Sequence, residues 1–121
     1  MTTETAVTTT IYGIKACDTM KKARTWLDQK GVAYEFHDWK TDPPTQALLD
    51  AWVGRLGWEV LLNRAGTTFR KLPEADRTGI DAGKAVRLML ANPSAIKRPV
   101  VVAGDALQVG FSPDAFSRLF P

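Results

Sequence analysis

The fold is decided by the stretch 8–36, which reads TTTIYGIKACDTMKKARTWLDQKGVAYEF. Its first residues are β-branched or aromatic, which predicts a strand over 8–12 that Gly13 interrupts. Over 19–30 the apolar residues recur at helical spacing on one stripe, and Gly31 is placed to end that helix. The members of this stripe are Met20, Ala23, Trp26 and Leu27.

The end of the same stretch predicts a second strand, because Val32, Tyr34 and Phe36 alternate along the chain. A strand, a helix and a strand within about 30 residues form a βαβ unit. The two strands are then expected to be parallel, since parallel neighbours need such a crossover.

The middle of the chain predicts helices. One spans 45–57, with Thr45 as its N-cap, and a short helical piece follows over 59–63. Residues 64–79 carry four basic residues in an irregular pattern and predict loop. A further helix over 81–93 starts at Asp81 and is closed by a proline.

The last third predicts a strand hairpin and a closing helix. Residues 100–102 form a short valine strand, Gly104 starts a turn, and residues 107–109 return as an antiparallel partner. Ser112 then caps a terminal helix with proline at its first position. The order βαβ, helical insertion, ββα predicts an α/β thioredoxin-like fold with a mixed four-stranded sheet.

The composition is that of one globular domain. A length of 121 residues suits a single domain, and 45% hydrophobic with 24% charged residues is ordinary for a folded protein. We therefore predict one domain over 1–121 with a flexible tail at 1–7. The N-terminal residues lack a signal-peptide pattern and no segment is apolar enough to cross a membrane, so no membrane partner is expected.

Charge and cysteine content narrow the function further. The net charge is +3, and the basic residues are scattered rather than clustered, which argues against direct nucleic-acid binding. This balance favours a small anionic ligand or an acidic protein surface. The one cysteine cannot form an internal disulfide, so a disulfide-stapled secreted domain is excluded and a cytoplasmic location is expected. No metal-ligand spacing is present, and we expect neither a metal nor a bound cofactor.

Cys17 is the candidate reactive residue. It follows a strand and a turn and precedes the first helix, where unpaired N–H groups and the helix dipole stabilise an anion. The lysines at 15, 21 and 22 add positive charge, whereas Asp18 opposes it, so we predict a partly lowered thiol pKa. The alternative is that Cys17 is a small buried apolar residue.

Other candidates are weaker. Met20 stands where a second cysteine would complete a C-x-x-C pair, so any disulfide chemistry needs an external thiol such as glutathione. His37 lies at the end of the second strand and is interpreted as an edge histidine rather than a catalytic base. The four tryptophans, at 26, 39, 52 and 58, are interpreted as core and interface residues rather than as a stacking platform.

Four segments carry a resemblance to a known family: IYGIKACDT at 11–19, LLNR at 61–64, GTTFRKL at 66–72 and IKRP at 96–99. Together they resemble the ArsC/Spx family, most closely its YffB-like branch, from about residue 9 to 120. The resemblance implies a thioredoxin-like fold with a helical insertion. In the family's arsenate reductases, a cysteine matching Cys17 attacks arsenate, three arginines hold the oxyanion, and glutathione with glutaredoxin completes the reduction.

The sequence departs from the arsenate reductase pattern at the anion site. Arg98 matches one of the three arginines, but the second falls on Asn63, where Arg64 is a partial substitute, and the third falls near Gly110. A histidine four residues before the cysteine is replaced by Gly13. In thioredoxin-like proteins a cis proline lies beside the active cysteine, so we predict that Arg98–Pro99 is cis and faces Cys17.

The resemblance implies two classes of function. The YffB-like branch points to a glutathione-dependent thiol reductase, with Cys17 as nucleophile and Arg98 as anion holder. Lys15, Asn63, Arg64 and Pro99 complete the expected substrate site. The Spx-like branch instead points to a non-catalytic regulator that binds an RNA polymerase subunit or another acidic protein surface. A genuine arsenate reductase is the third reading.

Overall fold

The structure, a computed structural model, describes residues 9–121, so the predicted tail at 1–7 lies outside the described residues. The described chain forms two compact units, one of residues 9–38 with 98–121 and one of Trp39–Lys97. A single domain over 1–121 stays a prediction.

The first unit contains β1 (Thr9–Gly13), α1 (Asp18–Gln29), β2 (Glu35–Asp38), β3 (Val100–Ala103), β4 (Ala106–Val109) and α7 (Pro113–Leu119). The second contains α2 (Gln46–Leu56), α3 (Trp58–Leu61), α4 (Thr67–Arg70), α5 (Glu74–Arg77), α6 (Ala82–Ala91) and a 3-10 helix (Pro93–Ala95).

The first unit is built on a mixed four-stranded sheet in the order β2-β1-β3-β4. Strand β1 pairs with β2 in parallel and with β3 antiparallel, and β3 pairs with β4 antiparallel. Ile11 in the centre faces Phe36 on one side and Val101 on the other. This topology confirms the predicted thioredoxin-like fold.

One face of this sheet is covered by α1 and α7. The fully buried residues Ile11, Met20, Ala23, Leu27, Val101 and Phe116 form its core. Three of these core residues, Met20, Ala23 and Leu27, come from the apolar stripe of α1. Phe116 comes from α7, which follows the Ser112 cap. Ser112 accepts the Ala115 N–H at 3.1 Å and Pro113 occupies the first turn, as predicted.

The second strand is shorter than predicted and begins at Glu35 rather than Val32. The reason lies in the end of α1, where Gly31 adopts a φ of 70° and Val32 donates its N–H to the Leu27 carbonyl at 3.0 Å. The chain is still closing the helix at Val32 and cannot yet pair with β1.

The second unit is helical, and its predicted caps are confirmed. Thr45 accepts the Leu48 N–H at 3.2 Å at the start of α2, and Asp81 accepts the Lys84 N–H at 2.8 Å at the start of α6. The short helical piece predicted over 59–63 is observed as α3, which begins one residue earlier and ends two residues earlier. Its end is followed by a single bridge between Leu62 and Ile96.

Residues 64–79 are not the simple loop that the sequence predicted, because they contain the single-turn helices α4 and α5. Phe69 in α4 is buried, and the Arg77 guanidinium donates to the Leu72 carbonyl at 2.8 Å. This segment is held by one buried aromatic ring and by hydrogen bonds from side chains to the backbone. Such isolated contacts do not produce a periodic apolar pattern in the sequence, so the two helices could not be predicted from it. Over residues 9–121, no helix has both the length and the apolar character needed to cross a membrane.

Candidate functional site

The turn between β1 and α1 presents Cys17 directly before the first residue of the helix. The Cys17 N–H donates to the Ile14 carbonyl at 3.1 Å, which closes the turn after Gly13. The Cys17 carbonyl accepts the Lys21 N–H at 3.0 Å and so begins the helical hydrogen-bond pattern. With φ −80° and ψ 133°, Cys17 is the N-cap residue of α1.

The surroundings of Cys17 lower the pKa of its thiol. Partial burial raises that pKa, but the Met20 N–H, a hydrogen bond from the Arg98 side chain and the Thr19 N–H outweigh the burial. The positive charge of Arg98 acts in the same direction. Although the side chain makes no capping hydrogen bond of ordinary geometry, the helix N–H groups are close enough to stabilise a thiolate. The predicted lowering is thus confirmed.

The segment that supplies Arg98 is fixed by the sheet. The Arg98–Pro99 peptide bond is cis, as predicted, and Pro99 is fully buried. The Pro99 carbonyl accepts the Gly110 N–H at 2.8 Å, and the next residue, Val100, pairs with Tyr12 at the end of β1. This pairing brings the start of β3 beside the β1–α1 turn and allows the Arg98 side chain to bond Cys17.

The origin of the positive charge differs in part from the prediction. The cation that lowers the Cys17 pKa is Arg98, a neighbour in space but 81 positions away in sequence. The lysines that the sequence offered, Lys15, Lys21 and Lys22, are all exposed to solvent, where water screens their charges. Lys15 lies in the turn before Cys17, and its role in binding substrate stays a prediction.

The Met20 side chain packs beneath the turn that carries Cys17, a contact that could not be predicted from the sequence. Its side chain is fully buried and lies over Gly13, where an added Cβ would overlap its Sδ and lie 2.8 Å from its Cε. The backbone N–H of the same residue stabilises the thiolate. The side chain at the position where a second cysteine would complete a C-x-x-C pair therefore lies in the core.

Gly110 is a second contributor that sequence reasoning missed. It was noted only as the place of a lost arginine, yet its N–H holds the Pro99 carbonyl and its φ is 86°. A glycine directly after a strand is a signal for such a positive φ, and it could have been used.

Asn63 and Arg64 belong to the second unit. The Asn63 N–H donates to the Ala95 carbonyl at 2.8 Å, and its amide side chain packs against Gly66. Arg64 is exposed, with its guanidinium 5.2 Å from the centre of the Trp58 ring. The structure thus brings Cys17, Arg98 and Pro99 together within the first unit, and the assignment of Asn63 and Arg64 to the site stays a prediction.

His37 and the tryptophans make packing contacts with other side chains. His37 lies on the edge strand β2 and its ring packs against Tyr12 with centroids 5.1 Å apart. Trp39 and Trp52 are buried, and Trp26 makes an edge-to-face contact with Phe116 at 5.5 Å. Among residues 9–121 no three histidine, cysteine or carboxylate side chains are grouped so that they could hold a metal ion.

The arrangement can perform nucleophilic sulfur chemistry. A thiol whose pKa is lowered offers more thiolate at neutral pH, and the thiolate is the reactive form. The planar guanidinium of Arg98 can hold a carboxylate or an oxyanion beside it. Fold and site therefore define a thioredoxin-fold protein with a single cysteine at the N-terminus of α1, to which the Arg98 side chain donates a hydrogen bond.

The family follows from comparison with known proteins. Residues 12–119 match the ArsC family, and this chain belongs to it. An uncharacterized protein of Haemophilus influenzae is 34% identical over 92% of this chain and 97% of its own length. The global transcriptional regulator Spx of Streptococcus mutans is 25% identical over 93% of this chain and 82% of its own length.

Solved structures support the same placement. The YFFB (PA3664) protein is 55% identical, covers 94% of this chain and 100% of its own, and superposes with a TM-score of 0.92. An arsenate reductase (ArsC) related protein from Brucella melitensis is 51% identical over 98% of both chains, with a TM-score of 0.77. The resemblance to the YffB-like branch of the ArsC/Spx family is thus confirmed.

Proposed function

We propose that this protein is a glutathione-dependent thiol–disulfide reductase that uses Cys17 as its only reactive sulfur. The observation that carries the proposal is the convergence of the α1 N–H groups and the Arg98 side chain on the Cys17 sulfur. Its membership of a family with arsenate reductase-related members supports thiol chemistry. Glutathione is a co-substrate in this proposal, and no bound cofactor takes part.

The proposed reaction is two successive thiol–disulfide exchanges. The Cys17 thiolate attacks the glutathione sulfur of a mixed disulfide, so a Cys17–glutathione bond forms and the substrate sulfur leaves as a thiolate that takes up a proton. A second glutathione, as its thiolate, then attacks the glutathione sulfur bound to Cys17. Oxidised glutathione leaves and the Cys17 thiolate is restored. The substrate disulfide is reduced, and two glutathione sulfurs end oxidised.

The negative charge of glutathione complements the basic residues that are proposed to bind it. Glutathione carries two carboxylates and one ammonium group, so its net charge is negative at neutral pH. In this proposal Arg98 holds one carboxylate by a forked pair of hydrogen bonds, with Lys15 as a second contact. Arg64 and Asn63 are further proposed contacts, Pro99 is proposed to line the site, and glutaredoxin is a proposed alternative reductant. The proposed setting is the cytoplasm, where glutathione is reduced.

We expect the protein to turn over a small glutathione mixed disulfide, such as that of cysteine, with glutathione as reductant. Replacing the nucleophile, in Cys17→Ser, should abolish this turnover because no other cysteine exists in the chain. Formation of oxidised glutathione, followed with a coupled reductase, measures it. Mass spectrometry should show one glutathionyl adduct, on Cys17. Turnover that survives in Cys17→Ser, or wild-type protein without turnover, would refute the proposal.

Arsenate is expected to be a poor substrate even with glutathione and glutaredoxin supplied. A tetrahedral anion needs several convergent charged donors, and Arg98 alone of the three family arginines is kept at its matching position. Arsenite production measured beside the mixed-disulfide assay tests this expectation. Robust arsenate reduction that is lost in Cys17→Ser would mean that a nearby basic residue has replaced the missing arginines.

A second candidate function is a non-catalytic regulator that binds an RNA polymerase subunit or another acidic protein surface. The observation that favours it is the similarity to transcriptional regulators named Spx over 93% of the chain. Those regulators are 25–27% identical, well below the 55% of the YFFB protein. Capture of a polymerase subunit by the purified protein, with no mixed-disulfide turnover, would establish this function instead.

A further inference from the structure

A surface depression of about 300 Å³ lies along α1 in the first unit. Its lining residues are Lys21, Lys22, Thr25, Trp26, Gln29 and Phe111. The four polar ones are exposed and sit on two turns of the helix that start one turn beyond Cys17. No proposed step of the Cys17 chemistry uses this depression.

The apolar part of the depression packs against the buried core. Trp26 and Phe111 are both half-buried, and each makes an edge-to-face contact with the fully buried Phe116, at 5.5 Å and 4.7 Å between ring centroids. Trp26 also contacts Phe120 at 6.1 Å. Two half-exposed aromatic side chains that pack against a buried ring can receive another apolar group with little loss of entropy.

The polar part of the depression is cationic. Lys21 and Lys22 stand on its rim, and the Lys30 ammonium lies 5.6 Å from the centre of the Trp26 ring. Thr25 and Gln29 add neutral hydrogen-bonding groups. None of the six lining residues, all within the described part of the chain, is acidic. Helix α1 with its C-cap Lys30 carries four basic residues and two acidic ones, Asp18 and Asp28, which do not line the depression, and this excess of positive charge favours carboxylates next to the apolar group that fills it.

The size of the depression favours a side chain over a free small molecule. About 300 Å³ lies at the lower end of the range for small-molecule pockets, which bury most of their ligand's surface. A depression lined mainly by exposed residues cannot enclose a ligand in that way. A single large side chain of a protein segment can fill it, because the rest of the segment makes its contacts along the helix.

We propose that this α1 depression binds an acidic segment of a partner protein, with one large apolar side chain between Trp26 and Phe111 and flanking carboxylates on Lys21 and Lys22. The lining residues from Lys21 to Gln29 extend over about 12 Å of helix, which matches three to four residues of extended chain. This proposal is independent of Cys17 reactivity. It names a binding surface that both candidate functions could use.

The test uses NMR titration of the ¹⁵N-labelled full chain with the peptide acetyl-DEFED-amide. Saturable shifts are expected at the amides of Thr25, Gln29 and Phe111. The matched peptide acetyl-DEAED-amide should bind at least about tenfold more weakly, because it lacks the ring that fills the depression. Cys17→Ser protein should bind the peptide as the wild type does, which separates this result from the fate of the reductase proposal.

Two variants locate the binding. Lys21→Glu with Lys22→Glu should weaken the affinity about tenfold, since each reversed surface charge contributes a fraction of a kcal/mol per carboxylate. The control variant is Arg70→Glu with Lys71→Glu. These two residues are also consecutive and exposed, but they lie at the end of α4 and do not line the depression, so the same charge change should leave the affinity unchanged. Thr25→Tyr should block the depression without touching a buried side chain.

Three results of the peptide titrations would each overturn the proposal. They are the absence of saturable shifts at millimolar peptide, equal binding of the two peptides, and equal weakening by the two charge-reversed pairs. Free phenylacetate serves as the small-molecule arm. If it binds as tightly as acetyl-DEFED-amide and shifts the same amides, the depression is a small-carboxylate site and the protein-segment proposal is wrong.

Discussion

Replacing Arg98 by alanine is expected to raise the pKa of Cys17 and to slow its chemistry at neutral pH. Arg98 lowers that pKa by a side-chain hydrogen bond and by its charge, and both are lost in Arg98→Ala. The thiolate is the reactive form, so the alkylation rate falls as the pH falls through the thiol pKa. Because the pKa is lowered in the wild type, its pH profile extends to lower pH than that of an ordinary thiol, and Arg98→Ala should move it back upward.

The size of the effect follows from the kind of contact. A hydrogen bond to a charged group contributes about 1.5–3 kcal/mol, and solvent at this half-buried thiol favours the lower end, so mixed-disulfide turnover should fall about tenfold. Iodoacetamide alkylation measured against pH gives the pKa, and the coupled assay gives turnover. Lys97→Ala removes an exposed cation next to Arg98 and serves as the control, with no expected change.

Arg98→Lys separates charge from geometry. A lysine keeps the positive charge but not the planar fork, so we expect a pKa and a turnover between those of the wild type and Arg98→Ala. An alkylation profile that is the same in wild type and Arg98→Ala would show that the helix N–H groups alone set the reactivity of Cys17. Arg98 would then have no part in lowering the pKa of Cys17.

Gly13→Ala is expected to destabilise the first unit strongly for so small a change. The added Cβ would overlap Met20 Sδ and lie 2.8 Å from Cε and 3.2 Å from Cγ. Met20 is fully buried, so its side chain cannot move into solvent, and the core must repack. Overpacking of this kind costs about 1–3 kcal/mol. Urea denaturation followed by circular dichroism measures the loss.

Gly54→Ala is the matched control. Gly54 lies in α2 with open space around it, and its replacement should stabilise the protein by about 0.5–1 kcal/mol because alanine favours the helix. A second test is the coupling between Gly13→Ala and Met20→Ala, since the smaller side chain vacates the space that the new Cβ needs. The double variant should lose less stability than the sum of the two single variants. Strict additivity, or a neutral Gly13→Ala, would contradict the packing described here.

Local signals predicted the elements of the fold well. The caps Thr45, Asp81 and Ser112 all accept the expected backbone N–H, because an N-cap depends on residues only three positions apart. Helices α4 and α5 were missed because each is one turn long and is held by isolated contacts such as the burial of Phe69. A single turn is too short for a 3.6-residue period to be visible.

Local sequence patterns alone identified only Cys17 of the candidate site. Cys17 was identified by its position between a strand and a helix, which is a local pattern. The contacts that tune it are not local: Arg98 and Gly110 reach the site through strand pairing, and Met20 meets Gly13 across the space between a strand end and a helix. Arg98 was predicted by family resemblance, whereas the Met20–Gly13 contact depends on side-chain packing that no motif records.

The groups that converge on the Cys17 sulfur also bear on its reduction potential. They stabilise the thiolate by charge and by hydrogen bonds, and a sulfur bound in a mixed disulfide carries no negative charge for them to stabilise. The reduced state therefore gains free energy relative to any disulfide made at Cys17. Because a stabilised thiolate is also a good leaving group, a glutathione attached there is expected to be passed on readily to the next thiol rather than retained.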